Sequence, residues 1–476
     1  MDKNKTQDID YFDEPAFHPS LDIKNGVLVL GFRVKPKIDK ESEIFIVATT
    51  EGQFQITKEP SFVISGKTYY IDVKKRKLAK FSQRLDRKNL DDFRENWLSP
   101  AHKINSQHLY TDIKDALKQH MDIEDADATL MCTWAIGTYF FPIFSAYPYL
   151  HIKAPKGSGK SQCLGFLNQI CFNATKARAS LPALRDTVDA LRGTYLMDQA
   201  DALHRPNMDD LLDILTDSYK RGGGDIRKMV ADKGKNWNLQ EFQAYTPKAF
   251  ASINQLPEDL RDRCLIISLI RSSKIYKPLD EENAIWKGVR NDIYKLLISN
   301  FNFAQIKYDQ TKTAYKHQEK PELVGRQLEL WIPFEVMFSV LNIPETEQQN
   351  AKQQFLSQYN FAEYQVSDLE RMIIEKVMEN LTNIDSMVLR PKEIASGINE
   401  MYFDNTESAK QQSAQVGKII HKFNLSSEKL PRDNKGERYL FKKEQVEKVY
   451  RGYFDNKTEI VPTPTFTDKK DPAIMA

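Results

Sequence analysis

The chain contains 476 residues, of which 41% are hydrophobic and 28% are charged, and its formal net charge is +2. This length is too great for one ordinary hydrophobic core and predicts about three domains. The composition is that of a soluble globular protein and excludes a disordered or membrane-embedded chain. Because the charges nearly balance, any surface that binds nucleic acid must be local.

The cysteines are widely scattered, with no C-x-x-C pair and no histidines at the spacing of metal ligands: Cys132, Cys163, Cys171 and Cys264. This pattern favours buried thiols in a reducing cytoplasm over disulfides or a zinc site. The amino terminus, MDKNKTQDIDYFDEP, lacks the apolar core of a signal peptide. We therefore expect a cytoplasmic protein.

The amino-terminal part of the chain is predicted to form a small sheet domain. Short β-rich runs separated by turn residues occupy Gly26 to Val73. The basic run KKRKLAKFSQRLDRK follows, and we interpret it as a solvated face because no aromatic residues alternate with the cations. Helical periodicity then begins at Tyr110, where Thr111 and Asp115 are suited to open a helix.

The apolar segment from Ala128 to Ile152 carries no Asp, Glu, Lys or Arg and is long enough to span a bilayer. Pro142 and Pro148 interrupt it, and it leads directly into a phosphate-binding motif that must face water. We therefore expect a buried helix and a core strand here rather than a membrane span. Residues 149–271 then alternate strand and helix, which predicts a mostly parallel α/β sheet.

The stretch APKGSGKS, from Ala154 to Ser161, is the strongest motif in the sequence. It follows an apolar strand and precedes a helix, which is the context of a phosphate-binding loop; a chance surface turn is the alternative. We expect Lys160 to contact the β and γ phosphates of ATP and Ser161 to bind Mg²⁺. The loop residues expected to hold the nucleotide are Gly157, Ser158, Gly159, Lys160 and Ser161.

Three polar side chains further along the chain are candidates for the same site. Asp198 follows the apolar run TYLM and is placed to position Mg²⁺ at the carboxyl end of a strand. Asn254 follows the strand of PKAFASIN and is suited to orient water near the γ-phosphate. Arg263 follows an exposed acidic turn and is expected to project to a neighbouring subunit's nucleotide. Taken singly, each also suits a turn or surface position.

The order Lys160, Asp198, Asn254, Arg263 and then Arg326 in VGRQLELWIPF resembles that of the AAA+ ATPases. The resemblance implies that Arg326 is a second sensor at the start of a lid helix. Residues 219–248 read as a β-hairpin before the sensor strand, similar to the pre-sensor hairpin of MCM-like helicases. By that resemblance the hairpin tip, with Lys233 and Lys235, enters a ring channel and grips DNA phosphates; a solvated turn is the alternative.

The carboxy-terminal segment predicts a winged helix, because three helices of helix-turn-helix proportions precede a hairpin. Its third helix and wing carry polar and basic residues that we expect to contact DNA: Gln411, Gln412, Gln415, Lys418, Arg432, Lys435 and Arg438. Winged helices also act as protein docking modules, which stays as the alternative.

Residues 150–453 together resemble the self-loading initiator helicases of staphylococcal pathogenicity islands and cassette chromosomes. The resemblance implies a multidomain α/β fold with an AAA+ P-loop core (109–277), a helical lid (278–365) and a winged helix (366–453). The sequence pattern adds a β-rich amino-terminal domain (1–108), which is compatible with that family, and a flexible tail (454–476). The resemblance also implies ATP and Mg²⁺ as cofactors. The expected assembly is a homohexamer that does not associate with a membrane. It would bind the double-stranded DNA of its replication origin and move along single-stranded DNA.

Gln199 departs from the Asp-Glu-Ala-Asp pattern that the resemblance leads us to expect. Glutamine can hold a water molecule but cannot accept its proton, so hydrolysis should be strongly slowed while nucleotide binding survives. We favour an engineered replacement of glutamate; the alternatives are that Asp201 or another acid takes over, or that the protein is an ATP-bound switch. A regulatory or scaffold ATPase that assembles on DNA without unwinding it is the competing function.

Overall fold

A computed structural model describes residues 16–34, 42–51, 53–72, 104–177, 180, 181, 184, 188, 189, 191–231, 237–269, 272, 276–318, 322–362, 368–398, 408–423, 425–434 and 436–454. The chain divides into two compact units, Met1–Tyr359 and Asn360–Ala476. The architecture is multidomain α/β, with a five-stranded parallel sheet in the first unit.

The first unit opens with two antiparallel sheets, in the part of the chain where the sequence predicts β-strands. A four-stranded sheet in the order β1-β2-β3-β4 comprises β1 (Leu21–Lys24), β2 (Val27–Val34), β3 (Ser42–Thr49) and β4 (Phe54–Thr57). A hairpin of β5 (Ser61–Ile64) and β6 (Lys67–Tyr70) follows. Alternate residues of β2 and β3 face opposite sides of their sheet, and both sides are buried, one in the main core and one under the hairpin.

The parallel sheet has the strand order β13-β7-β12-β9-β8. Its strands are β7 (Tyr149–Lys153), β8 (Thr175–Ala177), β9 (Tyr195–Met197), β12 (Lys248–Ser252) and β13 (Cys264–Ser268). The prediction of a parallel α/β sheet is thus confirmed. Because all five strands run in the same direction, the residues that follow them gather along one edge.

Helices precede and connect these strands: α1 (Ser106–His120), α2 (Asp125–Gly137), α3 (Lys160–Ile170), α4 (Asp209–Asp217) and α5 (Glu258–Arg261). The expected opening of α1 at Thr111 or Asp115 is wrong. The side chain of Asn105 accepts a hydrogen bond of 3.0 Å from the backbone N–H of His108 and caps the helix five residues earlier than Tyr110.

The apolar segment near residue 130 forms the buried helix and core strand that were expected, namely α2 and β7. Trp134 on α2 donates from its indole N–H to the backbone carbonyl of Pro148 at 2.7 Å, joining the two elements. Across the residues that the structure describes, no helix is both long and apolar enough to cross a membrane. The four cysteines are buried, and burial raises the pKa of Cys163 to about 12.

A second hairpin lies between α4 and β12, as the sequence predicts. Its strands are β10 (Ile226–Ala231) and β11 (Trp237–Phe242), paired antiparallel from Ile226 opposite Phe242 to Ala231 opposite Trp237. Three long helices complete the unit and confirm the helical prediction for residues after 278: α6 (Ile285–Lys316), α7 (Gly325–Leu341) and α8 (Glu345–Ala362).

The second unit has its own hydrophobic core, which includes Ile373, Val377, Val416, Ile420 and Phe441. The predicted three helices are α9 (Asp368–Asn380), α10 (Pro391–Ser396) and α11 (Ala409–Lys422), and the predicted hairpin is β15 (Glu428–Asp433) with β16 (Gly436–Lys442). Two elements were not anticipated: β14 (Ser386–Leu389), which completes a sheet in the order β14-β16-β15, and a final helix, α12 (Lys443–Phe454).

Candidate nucleotide-binding site

The loop between β7 and α3 has the backbone of a phosphate cradle. Gly157 and Gly159 adopt left-handed conformations, with φ of +79° and +84°, which other residues adopt only at a cost. A Cβ atom at either glycine would meet no atom within 4 Å, so the requirement is conformational rather than steric. The helix α3 begins at Lys160, so its first N–H groups face the loop and favour an anion.

The ammonium group of Lys160 lies over this loop and donates to the backbone carbonyls of Ala154 and, at 3.3 Å, Pro155. These carbonyls hold the cation at the mouth of the cradle, where phosphate oxygens compete for it. The next residue, Ser161, is exposed on the first turn of α3 and can reach a metal ion bound to those phosphates. The loop residues therefore fit a nucleotide with Mg²⁺.

Asp198 stands at the carboxyl end of β9, as the sequence predicts. The three residues of β9 are buried whereas Asp198 and Gln199 are exposed. The carboxylate of Asp198 accepts a hydrogen bond of 2.8 Å from the backbone N–H of Gln199. Gln199 adopts a left-handed conformation with φ of 57° and starts a 3₁₀ helix, Ala200–His204, which turns the chain away from the strand. The other carboxylate oxygen of Asp198 does not take part in this hydrogen bond and can bind a metal ion or a metal-bound water.

Asp201, on that 3₁₀ helix, makes direct contact with the candidate sensor residue Asn254. One carboxylate oxygen accepts from the backbone N–H of Asn254 at 2.9 Å and from its side-chain amide at 3.0 Å, and the other accepts from the backbone N–H of Ile253 at 2.9 Å. Partial burial would raise the pKa of Asp201, but these hydrogen bonds outweigh it and hold the pKa below its ordinary value. Asp201 is therefore a weak base.

The other side of Asn254 is held from within the sheet. Ser252, the last residue of β12, donates from its hydroxyl to the backbone carbonyl of Asn254 at 2.6 Å. A ring nitrogen of His151, on the neighbouring strand β7, lies 2.7 Å from the same hydroxyl. Burial lowers the pKa of His151 to about 3, so the ring is neutral near pH 7. Ser252 and His151 were not anticipated, and Asp201 was considered only as a substitute for Gln199, because the contacts of these three residues join separate strands.

The expectation that Arg263 projects from an exposed turn to a neighbouring subunit is corrected by the structure. Only 8% of Arg263 is exposed. Its guanidinium donates to the backbone carbonyl of Thr216 at 2.7 Å and to that of Asp259, and it lies 5.5 Å from the ring centroid of Tyr219. These contacts retain the side chain within its own subunit.

The side chain of Arg261, two residues earlier, is more accessible than that of Arg263. It is half-buried and donates to the side-chain oxygen of Gln255, the residue after Asn254, at 2.5 Å. Arg326 lies on the first turn of α7, where the sequence placed it, and a guanidinium nitrogen is 3.4 Å from the carboxylate of Asp262. The turn between α5 and β13 thus gathers two partly exposed arginines, Arg261 and Arg326, beside Asp262.

The hairpin β10–β11 is connected at its root to the segment that precedes β9. Asp189 accepts from the backbone N–H of Gln243 at 2.9 Å, and Arg192 donates to the side-chain oxygen of Gln243 at 2.9 Å. The predicted DNA-gripping residues Lys233 and Lys235 come between β10 and β11 in the sequence, outside the described residues.

In the second unit, two of the predicted DNA-contact residues make contacts within the protein. The side-chain oxygen of Gln411 accepts from the backbone N–H and the hydroxyl of Ser408, both at 2.8 Å, and so caps α11. Arg438 donates to the carbonyl of Pro431 at 3.0 Å and lies 3.7 Å from the carboxylate of Asp433. Gln412 and Gln415 are half-buried on α11, and Lys435 lies outside the described residues.

A cleft of about 480 Å³ separates α11 from the hairpin β15–β16. Five cations line it: Arg390, Lys392, Lys410, Lys418 and Arg432. Arg390 is paired with Asp433 at 2.7 Å and with Glu393 at 3.0 Å. Lys418 and Arg432 are exposed, and both were predicted to contact DNA. The cleft therefore concentrates positive charge between the third helix of the unit and its hairpin.

No protein-family profile and no curated protein matches this chain. Among solved structures, it is similar to the active helicase Cch of SCCmec type IV, at 11% identity and a TM-score of 0.37, over 88% of this chain and 94% of that one. It is also similar to the apo carboxy-terminal region of NrS-1, at 11% identity and a TM-score of 0.32, over 87% and 96%. A third similarity, to the JCV helicase, has 13% identity and a TM-score of 0.22, over 48% and 74%. Similarities at this level carry no argument about function.

Proposed function

We propose that this protein is an ATP-dependent DNA helicase that also binds a replication origin and initiates replication of a mobile genetic element. One observation carries the proposal. The phosphate loop after β7, the sensor residue Asn254 after β12 and the metal-positioning residue Asp198 after β9 follow three adjacent strands, with β12 in the middle. Their side chains therefore meet at one edge of the sheet around a bound triphosphate.

The same strand β12 links the nucleotide site to DNA in this proposal. The hairpin β10–β11 ends at Phe242, only a few residues before β12 begins at Lys248. The strand β12 therefore connects Asn254, just after its carboxyl end, to the hairpin that carries Lys233 and Lys235. A movement of Asn254 on ATP binding or hydrolysis would be transmitted to the hairpin through this strand. In a ring of subunits, such hairpins would line the channel and grip the phosphates of one strand.

The proposal of a ring rests on two arginines. Within the phosphate loop, Lys160 is the cation that lies over the loop carbonyls at the start of α3. Arg261 and Arg326 gather at the turn before β13, partly exposed, and charge on the transferred phosphoryl group is typically stabilised by such arginines. We propose that they serve a neighbouring subunit's nucleotide in an AAA+ homohexamer, with Arg261 replacing Arg263 in the role first expected.

The second unit is proposed to be a winged helix that binds the origin duplex. Its α11 would enter the major groove, and the cation-lined cleft between α11 and the hairpin would take the DNA backbone. Gln412 and Gln415 also lie on α11, half-buried, and are proposed to contact the bases. Because Gln411 caps the helix, its contribution to base recognition is smaller than the sequence implied.

One observation favours a second function, a regulatory or scaffold ATPase that assembles on DNA without unwinding it. Gln199 stands where a catalytic carboxylate is expected, and Asp201 cannot replace it, because both of its oxygens are occupied by N–H groups. A chain that binds ATP and hydrolyses it very slowly would suit an assembly switch.

ATP hydrolysis stimulated by single-stranded DNA distinguishes the two functions. We compare this chain, Gln199→Glu, and Lys160→Ala as the inactive control, each with and without an oligonucleotide. The helicase proposal expects Gln199→Glu to hydrolyse ATP and to do so faster with DNA. If Gln199→Glu binds ATP but shows no hydrolysis above that of Lys160→Ala, the switch function is favoured and the helicase proposal fails.

A further inference from the structure

The contact between Asp201 and Asn254 joins the carboxyl ends of two neighbouring strands at the candidate nucleotide site. β9 and β12 pair in parallel, with Met197 opposite Phe250. Asp201 lies four residues after Met197, and Asn254 four residues after Phe250, so equal lengths of chain bring them together beyond the sheet. One partner of this contact, Asp201, is three residues after Asp198, and the other partner is the sensor residue Asn254 itself.

The contact determines which atoms Asn254 presents to a ligand. A side-chain amide has two N–H groups and one oxygen. Because the carboxylate of Asp201 accepts hydrogen bonds only, it selects the amide nitrogen of Asn254, which lies 3.0 Å away. The amide oxygen and the second N–H then remain for other partners, and rotation of the amide would place two oxygens against each other.

The backbone of Asn254 is held as firmly as its side chain. Its N–H donates to Asp201 at 2.9 Å, and its carbonyl accepts from Ser252 at 2.6 Å. The N–H of Ile253 also donates to Asp201 at 2.9 Å. Asp201 therefore satisfies three donors with one charged group, and hydrogen bonds to a charged group are the stronger kind.

We propose that Asp201 is the positioning residue for Asn254: by holding its amide in one orientation, Asp201 makes Asn254 able to distinguish a γ-phosphate from its absence. This inference rests on the proposed nucleotide site and adds a residue to it. Asp201 itself does not touch the nucleotide and does not accept a proton from water. Its charge acts through the amide of Asn254, which offers one N–H to a γ-phosphate oxygen and its oxygen to the water beside it.

The test measures how well the full-length protein distinguishes a non-hydrolysable ATP analogue from ADP, both with Mg²⁺, as the ratio of the two dissociation constants. No hydrolysis is needed, so the result does not depend on Gln199. The variants are Asp201→Asn, Asn254→Ala and the double variant. Asp213→Asn serves as a matched control, because Asp213 is an exposed carboxylate on α4.

We expect Asp201→Asn to reduce the discrimination between the ATP analogue and ADP about tenfold, because one charge-assisted hydrogen bond is lost. The affinity for ADP itself should not change. The carboxamide keeps the size of the side chain but offers one oxygen to three donors. Asn254→Ala should cause a similar loss, and the double variant should lose no more than either single variant, because both changes remove one unit of action. Asp213→Asn should leave the ratio unchanged.

Three results would overturn the inference: an unchanged ratio in Asp201→Asn, losses that add in the double variant, or an equal loss of ADP and analogue affinity, which would show a merely structural role. If Asp201→Asn does not fold, Asp201→Glu keeps the charge and displaces it by one methylene, and the same ratio is measured on it. Failure of the nucleotide site itself gives a different result, in which Lys160→Ala binds ADP as tightly as the unchanged protein does.

Discussion

The guanidinium of Arg192 lies 2.8 Å from the carboxylate of Asp22, and both side chains are almost completely buried. Arg192 also donates to the backbone carbonyl of Leu21 at 3.2 Å and to the side-chain oxygen of Gln243 at 2.9 Å. One side chain therefore joins the amino-terminal sheet, the entry to β9 and the root of the hairpin β10–β11. A displacement of that hairpin would strain contacts made by the amino-terminal sheet.

The Asp22–Arg192 ion pair is expected to stabilise the fold in a pH-dependent way. Burial alone would raise the pKa of Asp22, but the charges of Arg192 and Lys24 and the hydrogen bonds from Lys24 and the backbone of His18 hold the pKa well below its ordinary value. Because the pKa is lower in the folded state, the stabilisation is complete above the unfolded value of about 3.9 and is lost as the pH falls below it.

Replacing Asp22 leaves the buried charge of Arg192 without its counterion. We expect Asp22→Asn to lower the free energy of unfolding by about 3–5 kcal/mol at pH 7. Urea unfolding of both proteins from pH 7 down to pH 3 checks this. The unchanged protein should lose stability more steeply below pH 4, so that the two curves converge. Parallel curves would show that Asp22 does not have the lowered pKa.

Lys160 and Lys156 offer a matched pair in the phosphate loop, since only Lys160 begins α3 and lies over the loop carbonyls. We expect Lys160→Ala to weaken ATP binding about ten- to a hundredfold, because hydrogen bonds from a charged group to phosphate are lost. Lys156→Ala should have little effect, because Lys156 is exposed earlier in the loop. Titration with a fluorescent nucleotide measures both, and equal losses would refute the assigned geometry of the loop.

The cation-lined cleft of the second unit predicts a specific dependence on salt. Lys418→Ala and Arg432→Ala should each reduce the slope of log affinity against log salt by about one, because each removes one phosphate contact. Lys376→Ala is the control, since Lys376 lies on α9 and is paired with Glu379 at 2.8 Å. Binding to a duplex is measured across salt concentrations. Slopes that stay the same in both cleft variants would exclude this cleft as the DNA site.

The proposed roles of the two DNA-binding surfaces can be separated. In the Gln199→Glu background, replacing Lys233 and Lys235 together by alanine should abolish unwinding, because the channel grip on phosphates is lost. Duplex binding by the second unit should stay within about twofold, because these lysines are not part of its cleft. Unwinding and duplex-binding assays on the same preparation check this. Retention of full unwinding would contradict the channel role of the hairpin.

The local features of the site could be predicted from the sequence. Each of three features can be recognised from about a dozen consecutive residues: the phosphate loop, the carboxylate after a buried strand, and the amide after the next core strand. Their placement at Lys160, Asp198 and Asn254 follows from the alternation of strands and helices, because parallel strands align their carboxyl ends. The hairpin before β12 was predicted from its own local sequence pattern.

Features that depend on packing could not be predicted. Arg263 seemed exposed because acidic residues precede it, but its neighbours Tyr219 and Thr216 come from a distant part of the chain. Asp201 was considered only as an acid that could take over from Gln199, whereas its hydrogen-bond donors come from residues 253 and 254. The strand β14 is only four residues long, and its pairing with β16 supplies the signal that its sequence lacks.

Unwinding of a forked DNA duplex with ATP and Mg²⁺ tests the central claim most directly, with this chain, Gln199→Glu and the inactive Lys160→Ala measured side by side. Introducing a carboxylate should raise the rate of hydrolysis about 10²- to 10⁴-fold, the usual contribution of a general base. The account predicts that Gln199→Glu separates the strands and that this chain does so far more slowly or not at all. If Gln199→Glu hydrolyses ATP and binds the fork but leaves the duplex intact, the protein is not a helicase.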